Sequence, residues 1–146
     1  MLMSHVASGL KKLLANSYFL YLKTQNFHWN IQGEDFFEFH ELFESHYNEL
    51  AGAIDTIAEA IRVLQERAPG SFHEFSDLAD LEEVPHDLTS HDMMAMLLHD
   101  HQIMVDCCTE VAKQCHAADD FGSLLIVSER LKSHQKILWM LQSWNA

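Results

Sequence analysis

Only two prolines, Pro69 and Pro85, occur in this 146-residue chain, and three of its five glycines (Gly33, Gly70, Gly122) stand where apolar periodicity breaks. Proline removes a helical hydrogen bond and clashes with the preceding turn, so long helices fit only outside these breaks. Between the breaks, apolar residues recur at i, i+3/i+4, the period of a half-buried helix. Residues 4 to 32 carry Val6, Leu10, Leu13, Leu14, Tyr18, Tyr21 and Leu22 at this spacing, with Gly33 placed to stop the helix. Asp35 with Glu38 has the form of a capping box and opens a second helix expected to run to Arg67, ahead of Ala68-Pro69-Gly70. Ser71-Phe-His-Glu begins a short helix in a long crossover, which Val84-Pro85 interrupts. Thr89 or Ser90 caps a third long helix to His116, with Met93, Met96, Leu97, Met104, Val105, Cys108 and Val111 toward the core. After Asp119, Asp120 and Gly122, a fourth long helix carries Leu124, Val127, Leu131, Leu138 and Leu141. The expectation is one all-α domain, residues 1–146.

A formal charge of −13, from nine basic residues against 22 acidic ones, repels nucleic acid and anionic membrane, since affinity for DNA rests on Lys and Arg neutralising phosphates. Cations are the natural partners. Cys107, Cys108 and Cys115 share one expected helix. Cys108 and Cys115 would lie about 10 Å apart along it, too far for a disulfide. Reduced thiols point to the cytoplasm. No apolar segment is long enough to cross a membrane, and no signal-peptide pattern is present.

The second helix carries a set of hard-metal ligands. At about 100° per residue, His40, Glu44, Asp55 and Glu59 fall within an arc of about 100°. Phe43, Tyr47, Leu50, Ile54, Ile57 and Ile61 form an apolar stripe about 110° away. Ala51, Ala58 and Gly52 lie in or beside the acidic arc, small residues that admit a second helix, so the stripe is expected to meet protein. With His28 added, the set suits iron. Asp55 and Glu59, at i, i+4, fit equally a solvated face beside Arg62, and single histidines more often serve as hydrogen-bonded helix ends.

Asn26-Phe-His-Trp-Asn-Ile-Gln-Gly33, Phe36-Phe-Glu-Phe-His40, Asp55-Thr-Ile-Ala-Glu59 and His134-Gln-Lys-Ile-Leu-Trp-Met-Leu141 together resemble the Dps family, the DNA-binding proteins from starved cells. Two long helices, a crossover bearing a short helix, and two more long helices also match the ferritin-like four-helix bundle. The resemblance implies a hollow homo-dodecamer that oxidises Fe2+, with H2O2 as oxidant, and stores the Fe3+ product. It also implies metal sites at twofold interfaces, one or two ions each, with His28, His40 and residue 44 from one subunit and Asp55 and Glu59 from its neighbour. The family usually has aspartate where Glu44 stands, and the extra methylene shifts that carboxylate by over about an ångström. Trp29 would serve as a radical trap or as a packed indole. Asp119 and Asp120 lie near the family's threefold pore, although Leu124-Leu125 follow where an acid is expected, and acids at a helix start also complement its dipole.

The family's DNA binding uses basic tails. Here the expected helices reach nearly to both ends of the sequence, with only Lys11 and Lys12 near the first, so no DNA binding is expected. Met93, Met94, Met96, His99, His101 and Met104 suggest a Cu(I) site, but methionines at helical spacing more often fill cores. A larger ferritin would need two Glu-x-x-His pairs, and only Glu83-Val-Pro-His86 has that spacing. The alternative function is a non-catalytic shell that buffers divalent cations such as zinc.

Overall fold

The structure is a computed structural model describing residues 2–145. It contains α1 (Leu2–Asn30), α2 (Phe36–Val63), α3 (Phe72–Leu78), α4 (Ser90–Ala117) and α5 (Phe121–Trp144), with no strand among the described residues. α1 pairs with α2 and α4 with α5. α1 also packs on α4, α2 on α5, and α3 against α1. This is a four-helix bundle whose long crossover bears one short helix. No helix among the described residues is long and apolar enough to cross a membrane.

The expected breaks hold except at Gly122, which lies in the first turn of α5, and their chemistry differs in places. Gly33 adopts φ +114° just after α1, a conformation that suits glycine. Asp35 makes no side-chain cap hydrogen bond, so the capping box expected there does not form. At α3 the N-cap half of such a box is made: Ser71 Oγ accepts from Glu74 N, and it also donates to the Glu74 carboxylate at 3.0 Å. Thr89, not Ser90, caps α4 by accepting from Asp92 N.

α2 ends at Val63, one turn before the expected Arg67. Gln65 takes φ +64°, its N–H donates to Arg62 O, and Glu66 N–H donates to Ile61 O. Asp119 closes α4 in the same way, with φ +54° and with N–H bonds from Asp119 to His116 O and from Asp120 to Cys115 O. Both are Schellman endings with a non-glycine residue in the left-handed position.

The core draws on every helix: Leu10, Leu13, Leu20 and Phe27 of α1, Phe43, Leu50, Ile57 and Ile61 of α2, Phe75 of α3, Leu97, Met104 and Cys108 of α4, and Val127 and Leu141 of α5. Each well-buried Leu, Ile or Phe contributes about 1.5–3 kcal/mol relative to exposure. The inner face of α5 departs from the expected leucine stripe. Ser123, Val127, Arg130, His134, Ile137 and Leu141 are buried, while Leu124, Leu131 and Leu138 are half-buried beside them. Polar residues at inward positions hid the true face from a hydrophobicity reading.

Candidate metal centre at the α1–α2 junction

His28 lies in the last turn of α1 and His40 in the second turn of α2, so the tight connection between the helices brings the two rings together. They stack with centroids 3.8 Å apart and planes 14° from parallel. Each ring is tied to the other's backbone: His28 Nδ1 lies 2.6 Å from His40 O and His40 Nδ1 lies 2.7 Å from His28 O. A carbonyl can only accept, so both Nδ1 atoms carry the proton and both rings, when neutral, keep a free lone pair on Nε2. Metal-binding histidines are characteristically oriented in this way, by the hydrogen bond of the other nitrogen. Phe36 stacks on His40 at 4.9 Å and Tyr47 meets His28 edge-on at 5.3 Å, so packing holds both rings.

Glu44, one turn after His40, places Oε1 4.0 Å from His28 Nε2. The Nε2 lone pair and the solvent-exposed carboxylate are two acceptors with no protein donor between them, an arrangement that suits a cation. Two metal–ligand bonds of about 2.1 Å each span such a distance.

Asp55 and Glu59 are exposed on the same helix, and the rise of about 1.5 Å per residue puts Asp55 about 22 Å from His40 along the axis. Among the described residues, no three His, Cys, Asp or Glu side chains of one chain are grouped closely enough to hold a metal ion. The chain thus joins His28 and His40 with Glu44 nearby, and leaves Asp55 and Glu59 remote. The flank between them is open: a Cβ added at Gly52 would meet nothing within 4 Å. Trp29 is 61% exposed. Asp120 caps α5 by accepting from Ser123 N, while Asp119 is exposed at the Schellman turn.

A second polar group, not read from the sequence, lies inside the bundle. Arg130 of α5 pairs with Glu49 of α2 and donates to His134 Nε2 at 3.3 Å. The guanidinium cannot accept, so His134 carries its proton on Nδ1 and donates it to His101 Nδ1 at 3.0 Å. His46 meets the His101 ring edge-on at 6.3 Å. Arg130 and His134, four apart on one helix, were the only sequence signal. The Arg130 cation already fills the electrostatic role that a metal would take here. His101 is engaged with His134 rather than with the buried Met93, Met94 and Met104.

Burial, reinforced by the charges of His46 and Arg130, lowers His101 to about 3. Burial likewise lowers His134 and His46, with Glu49 opposing it at His46. An unfolded histidine titrates near 6.5, so between that value and about 3 the unfolded chain binds more protons, and stability falls as the pH falls. At pH 5 the cost for His101 is about 2 kcal/mol. Thermal unfolding should therefore drop in midpoint from pH 7 to pH 5, with a shallower slope in His101→Leu. A midpoint independent of pH would contradict neutral burial.

A ferritin-like domain model matches residues 7–146. The chain is 36% identical to a low temperature-induced protein of Nostoc over 95% of this chain and 79% of that one. It is 30% identical to DNA protection during starvation protein 2 of Bacillus anthracis, over 95% of each. The fold superposes on the crystal structure of a Dps protein from Vibrio cholerae O1, described as a member of the ferritin-like diiron-carboxylate superfamily, with TM-score 0.94 and 30% identity over 99% of this chain and 91% of that chain.

Proposed function

The chain belongs to the Dps family of ferritin-like proteins, and we propose that it is an iron-storing ferroxidase whose sites are shared between subunits and whose oxidant is hydrogen peroxide. The observation that carries this reading is the His28 Nε2 lone pair facing Glu44 Oε1 at 4.0 Å, with both histidine Nδ1 protons already committed to backbone carbonyls. His28, His40 and Glu44 of one subunit would hold the substrate Fe2+ together with Asp55 and Glu59 of a second. The remoteness of those two acids from His40, and the open small-residue flank at Gly52, support a site completed by another copy. A closed twofold contact repeats every site.

Exposed Phe37, Val63, Phe121, Leu125 and Trp139, each at least 60% exposed in the single subunit, support burial in a larger assembly, here a dodecameric shell enclosing ferric mineral. Carboxylates favour the ferric product as hard anionic ligands. Two Fe2+ each give one electron to one peroxide, whose O–O bond breaks to form two waters with uptake of two protons, so no hydroxyl radical leaves. Trp29, exposed next to His28 in the sequence, would intercept radicals that do escape. Asp119 would contribute to an entry pore made less negative by Phe121 and Leu125, with Asp120 bracing its wall. Three buried free thiols fit the reducing cytoplasm. The charge of −13 opposes DNA binding at physiological salt.

Mixing the assembled protein with Fe2+ and peroxide tests this function: ferric absorbance should rise faster than in protein-free buffer. Equal rates with retained Fe2+ binding would favour a shell that only buffers divalent metals.

A further inference from the structure

All three tyrosines of this chain stand in one line that begins at the candidate iron site. The Tyr47 ring meets His28 edge-on at 5.3 Å. Tyr21 meets Tyr47 edge-on at 5.9 Å, and Tyr18 follows at 5.8 Å. Tyr18 then stacks on Phe75 of α3 at 4.9 Å and lines a surface cavity of about 270 Å³ with Phe19 and Phe72. Centroids this close put ring edges in contact. Aromatic packing alone would be served by phenylalanine, of which the chain has nine, yet each ring on this line between His28 and Phe75 is a phenol.

We propose that Tyr47, Tyr21 and Tyr18 form a relay that carries one-electron oxidising equivalents away from the iron site to the surface at α3. The relay rests on the ferroxidase reading above and serves the case that reading leaves open, a site holding one Fe2+ when peroxide arrives. A single Fe2+ gives one electron, and peroxide splits into hydroxide and a hydroxyl radical. The radical takes a hydrogen atom from the Tyr47 phenol, forming water and a phenoxyl radical. Tyr21 then passes an electron and a proton to Tyr47, and Tyr18 does the same for Tyr21. At the surface cavity, a soluble thiol returns a hydrogen atom to Tyr18 and becomes a thiyl radical.

Three features suit this path. Successive tyrosines differ little in ease of oxidation, so each hop is nearly level. Tyr18, Tyr21 and Tyr47 are half-buried, shielded from side reactions yet near enough to water to exchange protons. Gln25 Nε2 donates to Tyr21 Oη at 3.2 Å, which fixes the middle ring and leaves its phenol proton free to depart. Other rings near the histidines fit less well: Phe36 stacks on His40 but has no O–H to lose, and Trp29 makes no ring contact with either histidine among the described residues.

The test uses the assembled protein with Fe2+ below one ion per site and excess peroxide, read by freeze-quench electron paramagnetic resonance and by mass-spectrometric mapping of oxidised residues. The wild type should give a phenoxyl signal and oxidation at Tyr18. Tyr21→Phe should keep the ferric absorbance rise and a phenoxyl signal from Tyr47, while oxidation at Tyr18 falls to background. Tyr47→Phe should lose oxidation at both Tyr21 and Tyr18. Undiminished Tyr18 oxidation in Tyr21→Phe, or normal ferric formation without any phenoxyl signal in the wild type, would overturn the relay. A wild type that forms ferric iron no faster than buffer would overturn the ferroxidase reading, and the relay with it.

Discussion

Replacing His28 by alanine should slow peroxide-driven iron oxidation by at least about 100-fold, because even groups that merely orient a metal ligand are worth 10–100-fold. The substitution removes the Nε2 lone pair opposite Glu44, the Nδ1–H bond to His40 O, and the ring against which His40 stacks. His40 keeps its Nδ1–H bond to the carbonyl of residue 28 and its stacking on Phe36, so the loss reports the missing His28 ligand. Asp55→Ala should be comparably inactive although its side chain is exposed in the single subunit and about 22 Å along α2 from His40. Stopped-flow ferric absorbance on shells of unchanged size measures both effects. Wild-type rates in His28→Ala would remove the histidine pair from the chemistry.

The largest stability effect is expected at Lys23. Its Nζ lies 2.8 Å from Asp100 Oδ2 between α1 and α4, with the two side chains 4% and 3% exposed. Burial raises the Asp100 carboxyl, with Lys23 opposing the shift. Lys23→Met removes that opposition and strands a buried carboxylate, at a cost of about 3–5 kcal/mol. The folded state then takes up a proton more readily than the unfolded one, so this penalty shrinks as the pH falls toward the raised carboxyl range. The double variant Lys23→Met/Asp100→Leu should recover most of the loss, because well-packed apolar groups replace buried ion pairs at little or no net cost. Denaturant unfolding at one fixed protein concentration measures the series. A single variant as stable as the parent would mean that water reaches the pair.

The helix order was legible because breaks and periodicity both act locally. The core stripe of α2 was read largely as it is, with Phe43, Leu50, Ile57 and Ile61 buried. Its end was not, since Gln65 takes the left-handed position without the glycine that marks one. The inner face of α5 was legible only at Val127 and Leu141: Arg130 and His134 are buried there too because each has a partner on another helix, and such partners are invisible one helix at a time. At the candidate site, the motif around His28 and His40 singled out two histidines whose rings the fold brings together. The reciprocal Nδ1–carbonyl bonds that set their tautomers, and the line of tyrosines behind them, depend on how α1 folds against α2.

The central claim, that ligands from two subunits meet at one site, is tested most directly by co-assembling His28→Ala with Asp55→Ala, each inactive alone. In a mixed twofold contact one site carries both substitutions and the other carries neither. Random equal mixing should therefore restore about a quarter of wild-type ferroxidase activity. No recovery in verified mixed shells would mean that each site is built within a single chain, contradicting the shared-site assignment.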